Sequence, residues 1–134
     1  MPTTCQFTIG LRHTDAAGLI FFPRLFELVQ DTLEVAMHDA GVPVAERVHG
    51  DGPIVPIVHC EADFMRPLRL GDPVTVELRS ERVGTSSFSL VYRVLDGSGE
   101  EAARARVVHT SLDRSSGRAT PLTGEMRRFA EALG

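Results

Sequence analysis

Arg12-His13-Thr14-Asp15-Ala16-Ala17-Gly18-Leu19-Ile20-Phe21-Phe22-Pro23 is the stretch at which an alternating residue pattern gives way to a helical one. Upstream, Cys5, Phe7, Ile9 and Leu11 alternate with Gln6, Thr8 and Gly10, the period of a half-buried strand that runs into His13 and Asp15. Within the stretch, Gly18 permits tight backbone geometry and Pro23 suits a first helical turn. Downstream, Leu25, Leu28, Val29, Thr32, Leu33, Ala36 and Ala40 recur at helical spacing, with Arg24, Glu27, Asp31, Glu34 and His38 opposite them. The spacing predicts one amphipathic helix over Pro23–Ala40, capped by Gly41 and stopped by Pro43. At 1.5 Å per residue it is about 27 Å long, enough to lie along a sheet of roughly eight-residue strands.

The remaining chain reads mostly as strands. Residues 42–53 hold two prolines, several charges and no sustained period, which predicts a loop and a candidate lid. Over 57–65, Val58, Cys60, Ala62 and Phe64 alternate with His59, Glu61 and Asp63. Pro67 and the Gly71-Asp72-Pro73 turn lead to a third strand on Val74, Val76 and Leu78, and Gly84 leads to a fourth over 86–95. Asp96-Gly97-Ser98-Gly99 closes a hairpin into a fifth strand over 102–112, and 125–133 reads as a short final helix. One strand, one long helix and a four-strand meander predict a single α+β domain over 1–134, a curved antiparallel sheet around a central helix. With one helix covering the sheet, association through a sheet edge or face is expected.

Composition narrows the partners. The 134 residues carry 14 basic groups against 18 acidic ones, a formal net charge of −4, which argues against nucleic acid as a ligand. No apolar run approaches the roughly 20 residues that span a bilayer, so no membrane partner is expected. Cys5 and Cys60 lie in apolar-alternating runs without a second Cys or His at metal-binding spacing, so reduced thiols, a cytoplasmic location and no metal are expected.

The residues at the strand-to-helix junction resemble the hotdog-fold thioesterases of the 4-hydroxybenzoyl-CoA thioesterase family. The family motif, a strand-end Asp followed by small residues, Gly and an apolar-aromatic run into the helix, is matched by Thr14 to Pro23. A second match, Val55-Pro56-Ile57-Val58-His59 through Asp63-Phe64 to Pro67 and Gly71-Asp72, is most similar to the 1,4-dihydroxy-2-naphthoyl-CoA thioesterases of quinone biosynthesis. The resemblance implies hydrolysis of an aromatic acyl-CoA, with Asp15 as nucleophile or as base for water. It also implies an oxyanion donor at a backbone amide, Phe22 first, then Phe21 and Gly18. Members often carry Tyr or His within the pair filled here by Phe21 and Phe22, so any side-chain hydrogen bond from that position is missing. No cofactor is implied, coenzyme A being part of the substrate; a homodimer or homotetramer with sites between subunits is.

The chemistry suits those residue types. A solvated aspartate is ionised at neutral pH, its ordinary pKa being about 3.9, and helix-start amides favour the charge that develops on a thioester oxygen. Pro23 has no N–H, which shifts that role to the amide before it. In isolation, Asp-x-x-Gly reads as a turn, and the surrounding motif and element order favour the catalytic reading. His13 reads as a polar residue at the strand end, and His59 as a structural hydrogen-bonding residue or as a lining of the acyl pocket. Phe21, Phe22, Phe64 and Met65 are core by default, or line the acyl pocket where they approach Asp15. Arg66, Arg69, Arg79 and Arg82 are candidates for the coenzyme A phosphates, with Arg66 and Arg82 foremost; His38, His49 and His109 give no functional signal. The alternatives are a thioesterase for aliphatic acyl-CoA or acyl-carrier-protein substrates and a non-catalytic acyl-thioester binding module. Serine-hydrolase chemistry is disfavoured by the absence of a Gly-x-Ser-x-Gly elbow.

Overall fold

A computed structural model describes residues 2–134. Strand β1 (Thr3–Thr8) leads through a 3-10 turn at Leu11–His13 and another at Phe22–Arg24 into helix α1 (Leu25–Asp39). A short helix α2 (Val44–His49) precedes strands β2 (Ile57–Phe64), β3 (Pro73–Val83), β4 (Ser87–Leu95) and β5 (Glu101–Thr110), and helix α3 (Gly124–Ala132) ends the chain. The five strands form one antiparallel sheet in the order β1-β3-β4-β5-β2.

Helix α1 lies on this sheet through the apolar stripe its spacing predicts: Leu25, Leu28, Val29, Thr32, Leu33 and Ala36 are buried, joined by Met37. They meet Val76, Leu78, Leu90, Val94, Ala105 and Val107 from the strands in one core. Tyr92 is completely buried in that core, and its hydroxyl has no hydrogen-bond partner among the described residues. Burial also pushes its phenol pKa upward. An unpaired buried hydroxyl costs about 1–3 kcal/mol, so Tyr92→Phe is expected to stabilise the protein by about 1 kcal/mol and raise Tm by a few degrees in a thermal melt.

Four expectations are corrected. The first strand ends at Thr8 rather than running to Asp15, because Gly10 N–H donates to His13 Nδ1 at 2.9 Å and folds the chain into a turn that exposes Leu11 and buries His13. The helix from Pro23 begins with a 3-10 turn, its α-helical part starting at Leu25 and ending at Asp39, with Ala40 as its exposed cap. The segment 42–53 is not an open loop: it contains α2, and Arg114 holds it by donating to Arg47 O at 2.9 Å and Gly52 O at 3.1 Å. That tether argues against a freely moving lid. Lastly, the meander comprises β3, β4 and β5 only. β1 occupies the free edge of β3, so β2 pairs with β5 on the opposite side.

The position of β2 leaves one of its edges without a partner strand among the described residues and nearly all of its own residues exposed. A register shift between Ile57 and His59 sets Val58 out of the ladder. Ile57, Cys60, Ala62 and Phe64 therefore share the face of His109, Val107, Ala105 and Ala103 on β5, and Val58 does not continue the alternation as its spacing predicts.

Candidate functional site

The junction between β1 and α1 is a small hairpin. Thr14 pairs with Ile20, Asp15 N–H donates to Leu19 O at 2.9 Å, and Phe21 N–H donates to His13 O at 2.8 Å. Gly18 closes the turn at φ +78, a left-handed conformation that a side chain rarely tolerates, and its N–H donates to Asp15 O. The second arm is braced from outside: Ile20 N–H donates to Leu68 O and Leu70 N–H to Gly18 O. The segment between β2 and β3 thus fixes the position of Asp15.

Asp15 is exposed, and its Oδ1 accepts from Ala17 N–H at 2.8 Å and Leu19 N–H at 3.4 Å. Among the described residues Oδ2 has no hydrogen-bond partner. One oxygen orients the carboxylate and the other is free for chemistry. The amides expected as oxyanion donors differ in the same way. Gly18 N–H and Phe21 N–H are already bonded to carbonyls, whereas Phe22, the first residue of the 3-10 turn, has no acceptor for its N–H among the described residues. The next residue, Pro23, has no N–H to offer.

A groove of about 390 Å³ runs beside this hairpin, lined by Leu19, Ile20, Phe22, Phe64, Met65 and Arg66. Phe21, Phe22, Phe64 and Met65 are all substantially exposed, so the core reading of these four residues is corrected. Phe22, Phe64 and Met65 line the groove, while Phe21 packs edge-on against the Phe22 ring at 5.5 Å. Arg66 reaches the groove and lies 3.5 Å from Glu100. Arg82 is placed near the other end of β3, about 30 Å along the strand from the Asp72 turn, outside this junction. Arg79 is engaged by Glu77, and His59 sits exposed on the outer face of β2, 3.2 Å from Glu61. No group of His, Cys, Asp or Glu suited to a metal ion is found among the described residues.

Two buried histidines escape the sequence reading. His13 packs beneath the hairpin, and burial, reinforced by the Arg12 charge, lowers its pKa. His109 is lowered by burial, partly opposed by its bond to Val55 O. The signal for His109 lies in the alternation itself, since it follows Ala103, Ala105 and Val107 on the inward face of β5. Both histidines stay neutral in the fold at pH values where the unfolded chain is protonated. The unfolded state therefore gains protons first as pH falls through about 6.5, and stability decreases. Unfolding free energies from urea titrations run from pH 7.5 down to 5.5 are expected to fall, by up to about 1.4 kcal/mol per pH unit for each histidine that remains neutral.

With this geometry in place, comparison with known proteins decides the family. A family model described as the thioesterase-like superfamily matches residues 9–130. The chain belongs to that superfamily. Curated relatives of this thioesterase-family chain include 1,4-dihydroxy-2-naphthoyl-CoA hydrolases from Thermosynechococcus vestitus and Synechococcus elongatus. The first is 33% identical over 80% of the chain and 73% of the relative, and the second 30% identical over 94% and 93%. Its fold superposes with a TM-score of 0.93 on the crystal structure of a 1,4-dihydroxy-2-naphthoyl-CoA thioesterase from Synechocystis, at 21% identity and covering 99% and 98% of the two chains. The hotdog architecture expected from the junction motif is thus the observed one.

Proposed function

We propose that this chain is an acyl-CoA thioesterase that hydrolyses an aromatic acyl-CoA, of the 1,4-dihydroxy-2-naphthoyl or 4-hydroxybenzoyl type, to the free acid and coenzyme A. The observation that carries this reading is the pairing of a carboxylate with a free oxygen, on a braced hairpin, with the Phe22 amide at the helix start that follows it, which has no acceptor among the described residues. The names of the curated relatives point to the same substrate class.

In this reading Asp15 Oδ2 either attacks the thioester carbonyl or takes a proton from the water that does. The carbonyl oxygen gains charge as the new C–O bond forms, and the Phe22 N–H donates to it. Collapse of that intermediate breaks the C–S bond, and the thiolate leaves as coenzyme A after protonation. If water attacks, its oxygen enters the product acid directly; if Asp15 attacks, the acyl-aspartyl anhydride left after C–S cleavage is hydrolysed by water in a second step that regenerates the carboxylate, and neither route requires a cofactor beyond the substrate's own coenzyme A. Arg66 is assigned the coenzyme A phosphates in this reading, which its position in the groove lining supports.

The working unit in this proposal is at least a dimer formed through the unpaired edge of β2. That edge carries the exposed apolar residues Ile57, Val58, Phe64 and Met65, a surface that a second strand would cover. Antiparallel pairing of two β2 strands sets the Phe64 end of one beside the Ile57 end of the other, which makes the site a shared one. No helix among the described residues is long and apolar enough to cross a membrane, and the two free thiols fit a reducing cytoplasm.

Thiol release across matched aromatic and aliphatic acyl-CoA esters tests the substrate class. The expected result is a kcat/KM for naphthoyl or hydroxybenzoyl esters at least tenfold above that for octanoyl and palmitoyl esters. The reverse order overturns the aromatic assignment.

A further inference from the structure

His13 stands at the foot of the Asp15 hairpin, after the end of β1, and is 3% exposed. Its Nδ1 receives the Gly10 N–H at 2.9 Å. A backbone N–H can only donate, so Nδ1 carries the lone pair and the ring proton sits on Nε2. A second proton must then enter at Nδ1, the atom that already accepts from Gly10, and the hydrogen bond gives way to two opposed N–H groups. Nε2 is buried without a partner among the described residues, so no acceptor waits there to stabilise a charged ring. Only the neutral imidazole closes this turn.

The proposed site hangs from that turn. His13 O accepts from Phe21 N–H at 2.8 Å, so residue 13 begins one arm of the hairpin and ties down the other just before Phe22. Asp15 lies two residues further along the first arm. The two arms are anchored differently. Gly18 and Ile20 on the second arm are bonded to Leu70 and Leu68. The first arm reaches the sheet only through the 10–13 turn, which starts after Ile9, itself bonded to Gly71 and Asp72 at 2.7 and 2.9 Å. Loss of the Gly10 bond therefore shifts Asp15 against the Phe22 amide while the second arm stays in place. A misplacement of about 1 Å in a reacting group can cost about 10²-fold in rate.

We propose that His13 is a positioning residue for the thioesterase site: its neutral imidazole, by accepting from Gly10, fixes the direction in which the Asp15 arm leaves β1 and so the placement of the carboxylate against the Phe22 amide. The proposal rests on the thioesterase reading and adds to it a residue that acts through Asp15 and Phe22 from beneath the hairpin. The charged groups facing the ring are Arg12 on its own turn, Arg24 on the second 3-10 turn, and Glu27 and Asp31 on α1. Burial first, and then the Arg12 charge, hold the imidazole pKa below its ordinary value, against the opposing pull of Glu27 and Asp31. Above that pKa the ring is neutral and the turn closed; as pH falls through it, Nδ1 gains a proton, the Gly10 bond opens and kcat falls.

The test measures kcat and KM for 4-hydroxybenzoyl-CoA from about pH 8 down to about pH 4.5 in the wild type, His13→Asn and His13→Leu. Asn offers Oδ1 in place of Nδ1 as the acceptor from Gly10 and does not titrate, whereas Leu fills space and accepts nothing. The wild type is expected to lose kcat, with KM little changed, along a one-proton limb whose midpoint lies below about 6.5. His13→Asn should keep kcat within about threefold at neutral pH and lose that limb. In His13→Leu kcat should be at least tenfold lower at every pH. The same limb in His13→Asn, or wild-type kcat in His13→Leu, overturns the proposal. Should either variant fail to fold, the wild type alone decides. Its His13 Nδ1 nitrogen-15 resonance should pass from the lone-pair to the N–H range at the midpoint of the kcat limb, with the Gly10 and Phe22 amide protons shifting in step. A kcat limb unconnected with that titration overturns the proposal and leaves hydrolysis standing. Absence of thiol release at every pH removes the thioesterase reading instead, and the response of the two amides to Nδ1 protonation then decides the hold of His13 on the hairpin by itself.

Discussion

Asp15→Asn is expected to lower kcat for acyl-CoA hydrolysis by about 10²–10⁴-fold, the usual contribution of a positioned acid–base group. The substitution is chosen because it leaves the hairpin intact. Asn keeps an Oδ1 able to accept from Ala17 and Leu19, so the turn that orients the side chain is retained while the free, charged oxygen is replaced by an amide nitrogen. The melting temperature should change little and coenzyme A ester binding should persist. His59→Ala is the matching control: His59 is exposed on the outer face of β2, and its removal is expected to change kcat less than twofold. Undiminished turnover in Asp15→Asn would reduce the carboxylate to a turn-former.

The second large effect concerns a backbone atom. Phe22→Pro removes the amide at the helix start that has no acceptor among the described residues, and the backbone is prepared for it. Phe22 is the first residue of the 3-10 turn, and Phe21 before it has φ −75 and ψ 122, an extended conformation that a following proline favours. No hydrogen bond of the fold is lost, because that N–H makes none among the described residues. The expected cost is about 10²–10³-fold in kcat, the effect of deleting one oxyanion donor. Phe22→Ala, which keeps the N–H and removes the ring, separates the two contributions. It should alter KM through the groove wall more than kcat. Equal losses of kcat in both variants would assign the effect to the ring.

The features legible in the sequence were those with a local period or a backbone requirement. The apolar stripe of α1 and the inward face of β1 follow from spacing, and the turn at Gly18 from glycine's backbone freedom, whereas Pro23 marks the helix start only to within the 3-10 turn that precedes Leu25. Which strand pairs with which does not, because alternation specifies the faces of a strand and leaves its neighbour unstated. β1 and β2 carry similar patterns, yet β1 takes the edge of β3 and β2 that of β5. The apolar residues around the groove are undecided in the sequence for a related reason: Phe21, Phe22, Phe64 and Met65 are as apolar as core residues, and only the fold reveals that one chain leaves them uncovered. Asp15 was identifiable from its motif, but the division between its bonded and free oxygens required the hairpin. His109 was overlooked because the strand pattern that buries it is filled by alanines and valine, among which a histidine reads as incidental.

The central claim is that the Asp15 hairpin breaks a thioester and does not merely hold one. A single-turnover experiment, with enzyme in excess over an aromatic acyl-CoA and quenched samples assayed for free thiol and free acid, tests it most directly. The account predicts stoichiometric release of both products by the wild-type protein, slowed by about 10²–10⁴-fold in Asp15→Asn. Recovery of the bound thioester intact from the wild-type protein would contradict it and leave a binding module in place of an enzyme.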